Sequence, residues 1–190
     1  MFNSLAATVY EFNQIMTGWE ESYFLLELAG TVVCDAIKDH KKILICGNGG
    51  SAADAQHFAA ELMGWYENKI RGPIRAISLT TDTSCLTAIA NDSSYDQVFA
   101  RQVYGLGDPG DILIAITTSG KSKNVLEAIK AAKDIGMKVI VFTGQGGENI
   151  KGCDTVFAVP SVSTPRIQEI HTLLLHCLAE DIESLWTKNN

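Results

Sequence analysis

The chain has 190 residues, 46% of them hydrophobic, with a formal net charge of −7. This length and composition predict one domain with a sizeable core. The acidic balance and the absence of a lysine or arginine run argue against nucleic acid or a membrane as partner, because nonspecific phosphate-backbone binding needs clustered positive charge. The five cysteines form no C-x-x-C pair. No apolar run approaches the ~20 residues of a membrane helix, and the N-terminus lacks a signal-peptide pattern. We therefore expect a cytoplasmic protein.

Two helices are predicted to lead the chain, from about Ser4 to Met16 and from Trp19 to Lys38, with Gly18 between them. The second helix has apolar residues at four-residue steps. A helical segment before the first strand cannot extend a sheet, so it covers a sheet face or packs against another subunit. We expect these helices, in residues 1–40, to serve in oligomerisation, ahead of an α/β core over residues 41–190.

Short apolar runs rich in β-branched residues predict buried strands at Ile43 to Cys46, Ile74 to Leu79, Ile112 to Thr117, Val139 to Phe142 and Thr155 to Val159. Helical segments lie between and after them, at about Ser51 to Met63, Thr83 to Ala90 followed by Asp96 to Leu106, Asn124 to Ile135, and Thr164-Pro165 to about Trp186. Alternating strands and helices predict a single α/β domain with a parallel sheet and right-handed crossovers. A doubly wound sheet of five strands in the order 2-1-3-4-5 would place the reversal of strand order between the first and third strands. Ligands of such sheets bind beyond the carboxyl ends of the strands, at the point where the strand order reverses.

Two loops at this switch point have the composition of phosphate-binding sites. Gly47 to Gly50 precedes Ser51, which stands where an N-cap hydroxyl and the positive end of a helix would meet an anion. Thr117 to Ser122 reads TTSGKS, with four hydroxyl groups around one glycine. Each loop alone is also compatible with ordinary turn and cap chemistry, but two such loops at one switch point favour a phosphate-bearing ligand. The second is not an ATP-binding P-loop, because Ala115 stands where that pattern needs glycine.

The first loop has an alternative interpretation. Gly47-x-Gly49-x-x-Ala52 follows a strand and opens a helix, as in dinucleotide-binding folds, and Asp82 lies near the end of the next strand. Against this alternative, the helix has a polar line of Asp54, His57 and Glu61. The ligand-side turns of a dinucleotide-binding helix usually lack such a line. Spacing alone leaves the alternative open.

His57 and Glu61 are four residues apart on one helix face, a spacing at which two side chains can share a metal ion or a substrate. A solvated surface pair is the alternative. In the final helix, Gln168 and His176 lie about 80° apart around the axis and roughly 12 Å along it, so one ion would strain to meet both. An irregular helix near Pro165, or ligands from different subunits, would ease this difficulty. His171 falls among apolar residues, which indicates a hydrogen-bonded core or interface histidine.

Four segments together resemble the sugar isomerase (SIS) domain family: CGNGGSAADAQHFAAEL at 46–62, AIAND at 88–92, TTSGKS at 117–122 and RIQEIHTLLLH at 166–176. The resemblance covers nearly the whole chain. It implies the aldose-ketose isomerisation of D-sedoheptulose 7-phosphate to D-glycero-D-manno-heptose 7-phosphate, the first step towards nucleotide-activated heptose. It also implies a homotetramer with active sites between subunits and one zinc ion (Zn2+) per subunit.

The resemblance also implies roles for particular residues. The metal ligands are His57, Glu61, Gln168 and His176. The reaction moves a proton between C1 and C2 through an enediol, and we assign Glu61 and His176 as the acid/base pair. Substrate contacts fall on Asn48, Gly49, Gly50, Ser51, Glu61, Asn91, Asp92, Thr117, Thr118, Ser119, Ser122 and Gln168.

The sequence departs from the family pattern at two positions. Trp65 stands where the family commonly has arginine, and Pro165 precedes Arg166 where some members have aspartate. The missing arginine removes one charged substrate contact, and Lys69 and Arg71 are the candidates to reach the same region. The missing carboxylate narrows the candidates for the acid/base pair further toward Glu61 and His176.

A second function stays open at this point, namely a non-catalytic SIS protein that binds a phosphosugar or a replication-initiator partner. The four metal-ligand candidates are all present in the sequence. Because an interaction module has no physical need of them, they favour the enzyme.

Overall fold

The computed structural model describes the backbone of residues 4–188 and the side chains of residues 4–186, so the ends of the predicted span 1–190 lie outside the described residues. Its centre is a parallel sheet of order β2-β1-β3-β4-β5, with strands β1 Ile43–Gly47, β2 Ala76–Ser78, β3 Ile112–Thr117, β4 Lys138–Gly144 and β5 Thr155–Val159. The helices are α1 Ser4–Thr17, α2 Glu21–Lys38, α3 Gly50–Met63, α4 Thr83–Asp92, α5 Ala100–Leu106, α6 Lys123–Asp134 and α7 Thr164–Lys188. The predicted α/β class and strand order are confirmed.

The central strand, β3, explains why the strands appear in the sequence as continuous apolar runs. Ile114 pairs with Ile45 of β1 and with Ile140 of β4, and every residue of β3 is buried. Successive side chains of a strand point to opposite faces of the sheet. Alternate residues of β3 therefore enter two cores, one covered by α2, α3 and α7 and the other by α4, α5 and α6. A sheet with helices on both faces needs apolar residues throughout.

The clearest differences from the predicted boundaries concern three elements. The edge strand β2 is shorter than the predicted Ile74 to Leu79, because it pairs with β1 alone over Ala76–Ser78. Strand β4 is longer than predicted, because its last residues also pair with β5. The segment Asp96 to Leu106 is not one helix. A 3₁₀ turn, Tyr95–Gln97, precedes α5, and the buried residues between them anchor this break in the core.

The leading helices differ in how they contact the core. Helix α2 buries one face against the sheet and α7, whereas α1 has no buried residue. Both helices expose large apolar side chains: Leu5, Val9, Tyr10, Tyr23, Phe24 and Leu28. Among residues 4–188, no helix combines the length and hydropathy that crossing a bilayer would need.

His171 is a core histidine, as its apolar neighbours predict. It is completely buried, and its Nε2 lies 3.0 Å from the carbonyl oxygen of Thr143. Because a carbonyl oxygen only accepts hydrogen bonds, the neutral ring carries its proton on Nε2. The ring also meets Phe142 edge to face, with the ring centroids 5.8 Å apart.

We expect His171 to make the protein less stable in acid. Burial lowers the pKa of its ring from 6.5 to about 4. Between these values the unfolded chain binds a proton that the folded chain does not, so the free energy of unfolding decreases as the pH falls, by up to about 1.4 kcal/mol per pH unit. His171→Gln keeps a donor for Thr143 but does not titrate.

Urea unfolding from pH 6.5 to 4 should therefore show a smaller pH slope for His171→Gln than for the wild type. His40→Asn changes an exposed histidine in a turn and should leave the slope unchanged. Equal slopes for His171→Gln and the wild type would contradict this assignment.

Candidate active site

Helix α3 carries the polar line of the candidate site on the side facing α7. It packs Ala55, Phe58 and Leu62 into the core, a spacing of three and four residues that leaves Asp54, His57 and Glu61 on another face. These side chains meet residues of α7 that lie more than 100 positions later in the chain. The packing of α3 against α7 therefore decides which groups come together.

His57, Glu61 and His176 form a group that could hold a metal ion. One ligand atom of each lies within 4.8 Å of the others. The Nε2 atoms of His57 and His176 are 2.7 Å apart, and His57 Nε2 lies 3.4 Å from Glu61 Oε1. Two imidazole nitrogens and a carboxylate oxygen are donors that zinc prefers, and three protein ligands leave a coordination position open. The residues therefore fit a catalytic zinc site.

Within one subunit, Gln168 does not lie beside His57, Glu61 and His176. Its side chain packs against Gly50, where a Cβ atom would lie 2.5 Å from Gln168 Nε2. Between Gln168 and His176, Thr172 donates a 2.9 Å hydrogen bond to Asp54 Oδ1. Helices α3 and α7 thus run side by side in the same direction. Gln168 lies beside the first loop, and His176 lies roughly 12 Å further along α7.

Asp54 lies in α3 between Gly50 and His57, and the two oxygens of its carboxylate have different surroundings. Its Oδ1 accepts the Thr172 hydrogen bond, whereas its Oδ2 is buried and has no hydrogen-bond partner among the described residues. Burial raises the pKa of this carboxyl above its ordinary value, and the Thr172 hydrogen bond and the nearby histidines oppose that shift. The sequence shows Asp54 in the polar line but gives no sign of its contact with α7.

The first loop turns sharply between β1 and α3. Gly49 has a φ of 58°, a left-handed conformation that favours glycine, and α3 begins at Gly50. Gly49 is therefore the N-cap residue, and the prediction that Ser51 occupies this position is wrong. Ser51 instead lies buried in the first helical turn.

The side chain of Asn48 holds this loop to its neighbours. It exchanges two hydrogen bonds of 2.9 Å with the amide of Asn124 in α6. Its Oδ1 also accepts a 3.0 Å hydrogen bond from the hydroxyl of Tyr95, in the 3₁₀ turn after α4. Sequence reasoning missed Tyr95, which has no motif around it.

The second loop, Thr117 to Ser122, follows β3 and adjoins the first, as the predicted switch point requires. The Thr117 hydroxyl donates to Ser122 Oγ at 3.1 Å, and Ser119 Oγ accepts from the Lys121 N–H group at 3.2 Å. Gly120 has a φ of 67°. The structure thus brings both hydroxyl-rich and glycine-rich loops to one edge of the sheet.

Asn91 and Asp92 lie at the end of α4, exposed to solvent. Their side chains share a 2.8 Å hydrogen bond. Asp92 lines a cleft of about 790 Å³, together with Arg101 and Tyr104 of α5. His57, Glu61 and His176 do not line this cleft.

Arg71, one of the two candidates for the region of the missing arginine, is not available for a substrate contact. Its guanidinium is buried and donates hydrogen bonds to backbone carbonyls and to Glu183, so it does not face a ligand. Lys69 and Trp65 are exposed. Sequence reasoning missed Tyr66, whose ring centroid lies 6.0 Å from that of His176.

Gly47→Ala is expected to disrupt the first loop. A Cβ atom at Gly47 would lie 2.6 Å from the carbonyl oxygen of Ser51, which is backbone at the start of α3 and cannot rotate away. We expect a loss of about 1–3 kcal/mol in the free energy of unfolding, measured in urea.

Gly105→Ala is the matched control, because a Cβ atom there meets nothing within 4 Å and the residue is helical. This variant should gain about 0.5–1 kcal/mol. Wild-type stability in Gly47→Ala would contradict the close approach of the loop to α3.

The chain is similar to known proteins both in sequence and in structure. The SIS domain family model matches residues 11–144. A phosphoheptose isomerase of Campylobacter concisus is 55% identical over 159 residues, which are 83% of this chain and 84% of that protein. The solved structure of phosphoheptose isomerase GmhA from Neisseria gonorrhoeae matches with a TM-score of 0.85 at 43% identity, covering 95% of each chain. A phosphoheptose isomerase from Francisella tularensis matches with a TM-score of 0.86 at 36% identity, covering 96% of this chain and 100% of that one.

Proposed function

The chain belongs to the SIS domain family, and we propose that it acts as a phosphoheptose isomerase. It converts D-sedoheptulose 7-phosphate to D-glycero-D-manno-heptose 7-phosphate, the first step of nucleotide-activated heptose biosynthesis. The observation that carries this proposal is the group of His57, Glu61 and His176, assembled in a chain 55% identical to a relative of that name.

Glu61 and His176 are the proposed acid/base pair. In the ketose-to-aldose direction, Glu61 removes a proton from C1 and returns it to C2. His176 gives a proton to the C2 oxygen and accepts one from the C1 hydroxyl, so that an enediol forms and collapses. Two observations support these roles: the Glu61 side chain is only 17% exposed, and one ligand atom of each residue lies within 4.8 Å of the other.

His57, Glu61 and His176 would hold one zinc ion per subunit, with Gln168 supplied by a neighbouring subunit. The position of Gln168 beside Gly50 supports this division, because it separates Gln168 from His176 of the same chain. When bound, zinc would polarise the substrate carbonyl or hold its hydroxyls.

The two loops are proposed to bind the phosphate, through backbone N–H groups and hydroxyls. The contacting residues are Asn48, Gly49, Gly50, Ser51, Thr117, Thr118, Ser119 and Ser122. Helix α3 runs about 10 Å from Gly50 to His57, a span that suits a seven-carbon sugar phosphate better than a triose phosphate. The Tyr95 hydrogen bond to the first loop supports sugar contacts from Asn91 and Asp92, which precede it.

A homotetramer is the proposed assembly, with active sites between subunits. The exposed apolar side chains of α1 and α2 support a role of residues 1–40 in assembly, with residues 41–190 as the catalytic core. The cytoplasm is the proposed location, because the substrate is a phosphorylated metabolite and the described cysteines are free thiols.

The purified protein with zinc should convert sedoheptulose 7-phosphate to the aldoheptose phosphate, identified by NMR of its C1 proton. Titration with NADH should show no saturable binding, in contrast to the dinucleotide alternative. A folded, tetrameric protein without turnover in any metal condition would contradict the isomerase and favour a non-catalytic phosphosugar-binding role.

A further inference from the structure

Two charged side chains that the proposed chemistry does not use are buried beside the candidate site. Arg71 lies in the loop after α3, and Glu183 lies in α7, two turns beyond His176; each is 7% exposed. Arg71 Nε donates a 3.0 Å hydrogen bond to Glu183 Oε1, across 112 residues of sequence. This ion pair therefore joins the end of α3 to α7.

The guanidinium of Arg71 also holds the last turn of α3. Its Nη2 donates to the carbonyl oxygen of Glu61 at 2.7 Å and to that of Gly64 at 2.9 Å. Its Nη1 donates to the carbonyl oxygen of Leu62 at 2.9 Å. These carbonyls belong to the helix end, where helical N–H partners run out. The rigid fork of Arg71 thus contacts the backbone of the proposed base itself.

Glu183 holds the segment that follows α3. Its carboxylate accepts hydrogen bonds from the successive N–H groups of Tyr66, Glu67 and Asn68, at 3.3, 3.0 and 2.7 Å. Burial alone would raise the pKa of this carboxyl, but these bonds and that from Arg71 lower it below its ordinary value. The same segment carries the Tyr66 ring that lies beside His176.

We propose that the Arg71–Glu183 pair is a positioning element that fixes α3 against α7 so that His57, Glu61 and His176 meet at metal-binding distance. Stability alone is a poor reason for a buried ion pair, because apolar residues of similar volume are often equally stabilising. An ion pair with directed hydrogen bonds instead fixes one register between the two helices. This inference rests on the proposed function, because it assigns the pair to the same site.

Arg71→Lys tests the proposal. Lysine keeps the charge facing Glu183, but its ammonium cannot reproduce the planar fork that contacts the carbonyls of α3. We expect zinc affinity, measured by calorimetric titration, to fall 10- to 100-fold, the range seen when residues that orient metal ligands are changed. At saturating zinc, kcat should fall at least 10-fold, with KM changing less than twofold because the phosphate loops are at the other end of α3. Glu183→Gln, which keeps the side-chain size, should weaken zinc binding in the same direction.

Asp111→Asn is the matched control. Asp111 is buried and paired with Lys42 at the amino end of the strands, opposite the loops. This variant should lower the urea midpoint but leave zinc affinity within twofold of the wild type.

Wild-type zinc affinity in folded Arg71→Lys and Glu183→Gln would overturn the proposal, as would an equal loss of zinc affinity in Asp111→Asn. A wild-type protein that binds zinc without turning over the sugar would contradict the proposed function alone, and the zinc titrations would still decide the role of the pair.

Discussion

Glu61→Gln is expected to lower the turnover of sedoheptulose 7-phosphate by about a thousandfold, within the range that general acid/base groups contribute. The amide keeps the size of the side chain and an oxygen that can coordinate zinc, but it cannot take a proton from carbon. We therefore expect zinc still to bind, more weakly, while kcat remains low at saturating zinc. The measurement is the rate of aldose formation by NMR, with zinc content determined on the same sample.

Glu180→Gln is the matched control for this change. Glu180 lies in the same helix as His176, one turn further along, and is exposed. Its substitution removes one carboxylate near the site and should leave kcat within twofold. If excess zinc restored full turnover to Glu61→Gln, Glu61 would be a metal ligand and not the base.

Metal removal is expected to lower turnover at least a hundredfold, and added zinc should restore it. A metal that stabilises the developing enediolate contributes several kcal/mol, and about 3 kcal/mol corresponds to a hundredfold in rate. The measurement is kcat before chelation, after chelation and after titration with zinc. Full turnover by metal-free protein would refute the zinc proposal, whereas the proposed isomerase activity would stand.

Histidine variants test which side chains hold the zinc ion. His176→Asn removes one of the grouped imidazoles and should lose most of the bound zinc. His40→Asn is the control, because His40 is exposed and has a φ of 56°, a conformation that asparagine adopts readily. This control should keep the zinc content and the turnover of the wild type.

The fold could be predicted from the sequence wherever local pattern and burial agree. The strands buried on both faces, such as β3, appear as unbroken apolar runs, and their alternation with helices predicts a parallel sheet. The errors lie where tertiary contacts set the limits. Edge strand β2 has one hydrogen-bonded neighbour and is shorter than its apolar run, whereas β4 is extended by pairing with β5.

The candidate site was predictable in the parts that depend on neighbouring residues. The spacing of His57 and Glu61 on one helix and the glycines and hydroxyls of the two loops are local features, because helix periodicity and turn geometry extend over a few residues only. They favour a phosphate-bearing ligand and are compatible with either a metal-binding pair or a solvated surface pair, and the resemblance indicates the family.

Only the tertiary structure decided which distant groups meet. His57 and His176 come together across 119 residues, Gln168 lies instead beside Gly50, and Arg71 is a buried donor because Glu183 faces it across 112 residues. The physical reason is that the register of α3 against α7 depends on side-chain packing between two faces. No periodicity within either segment encodes that register.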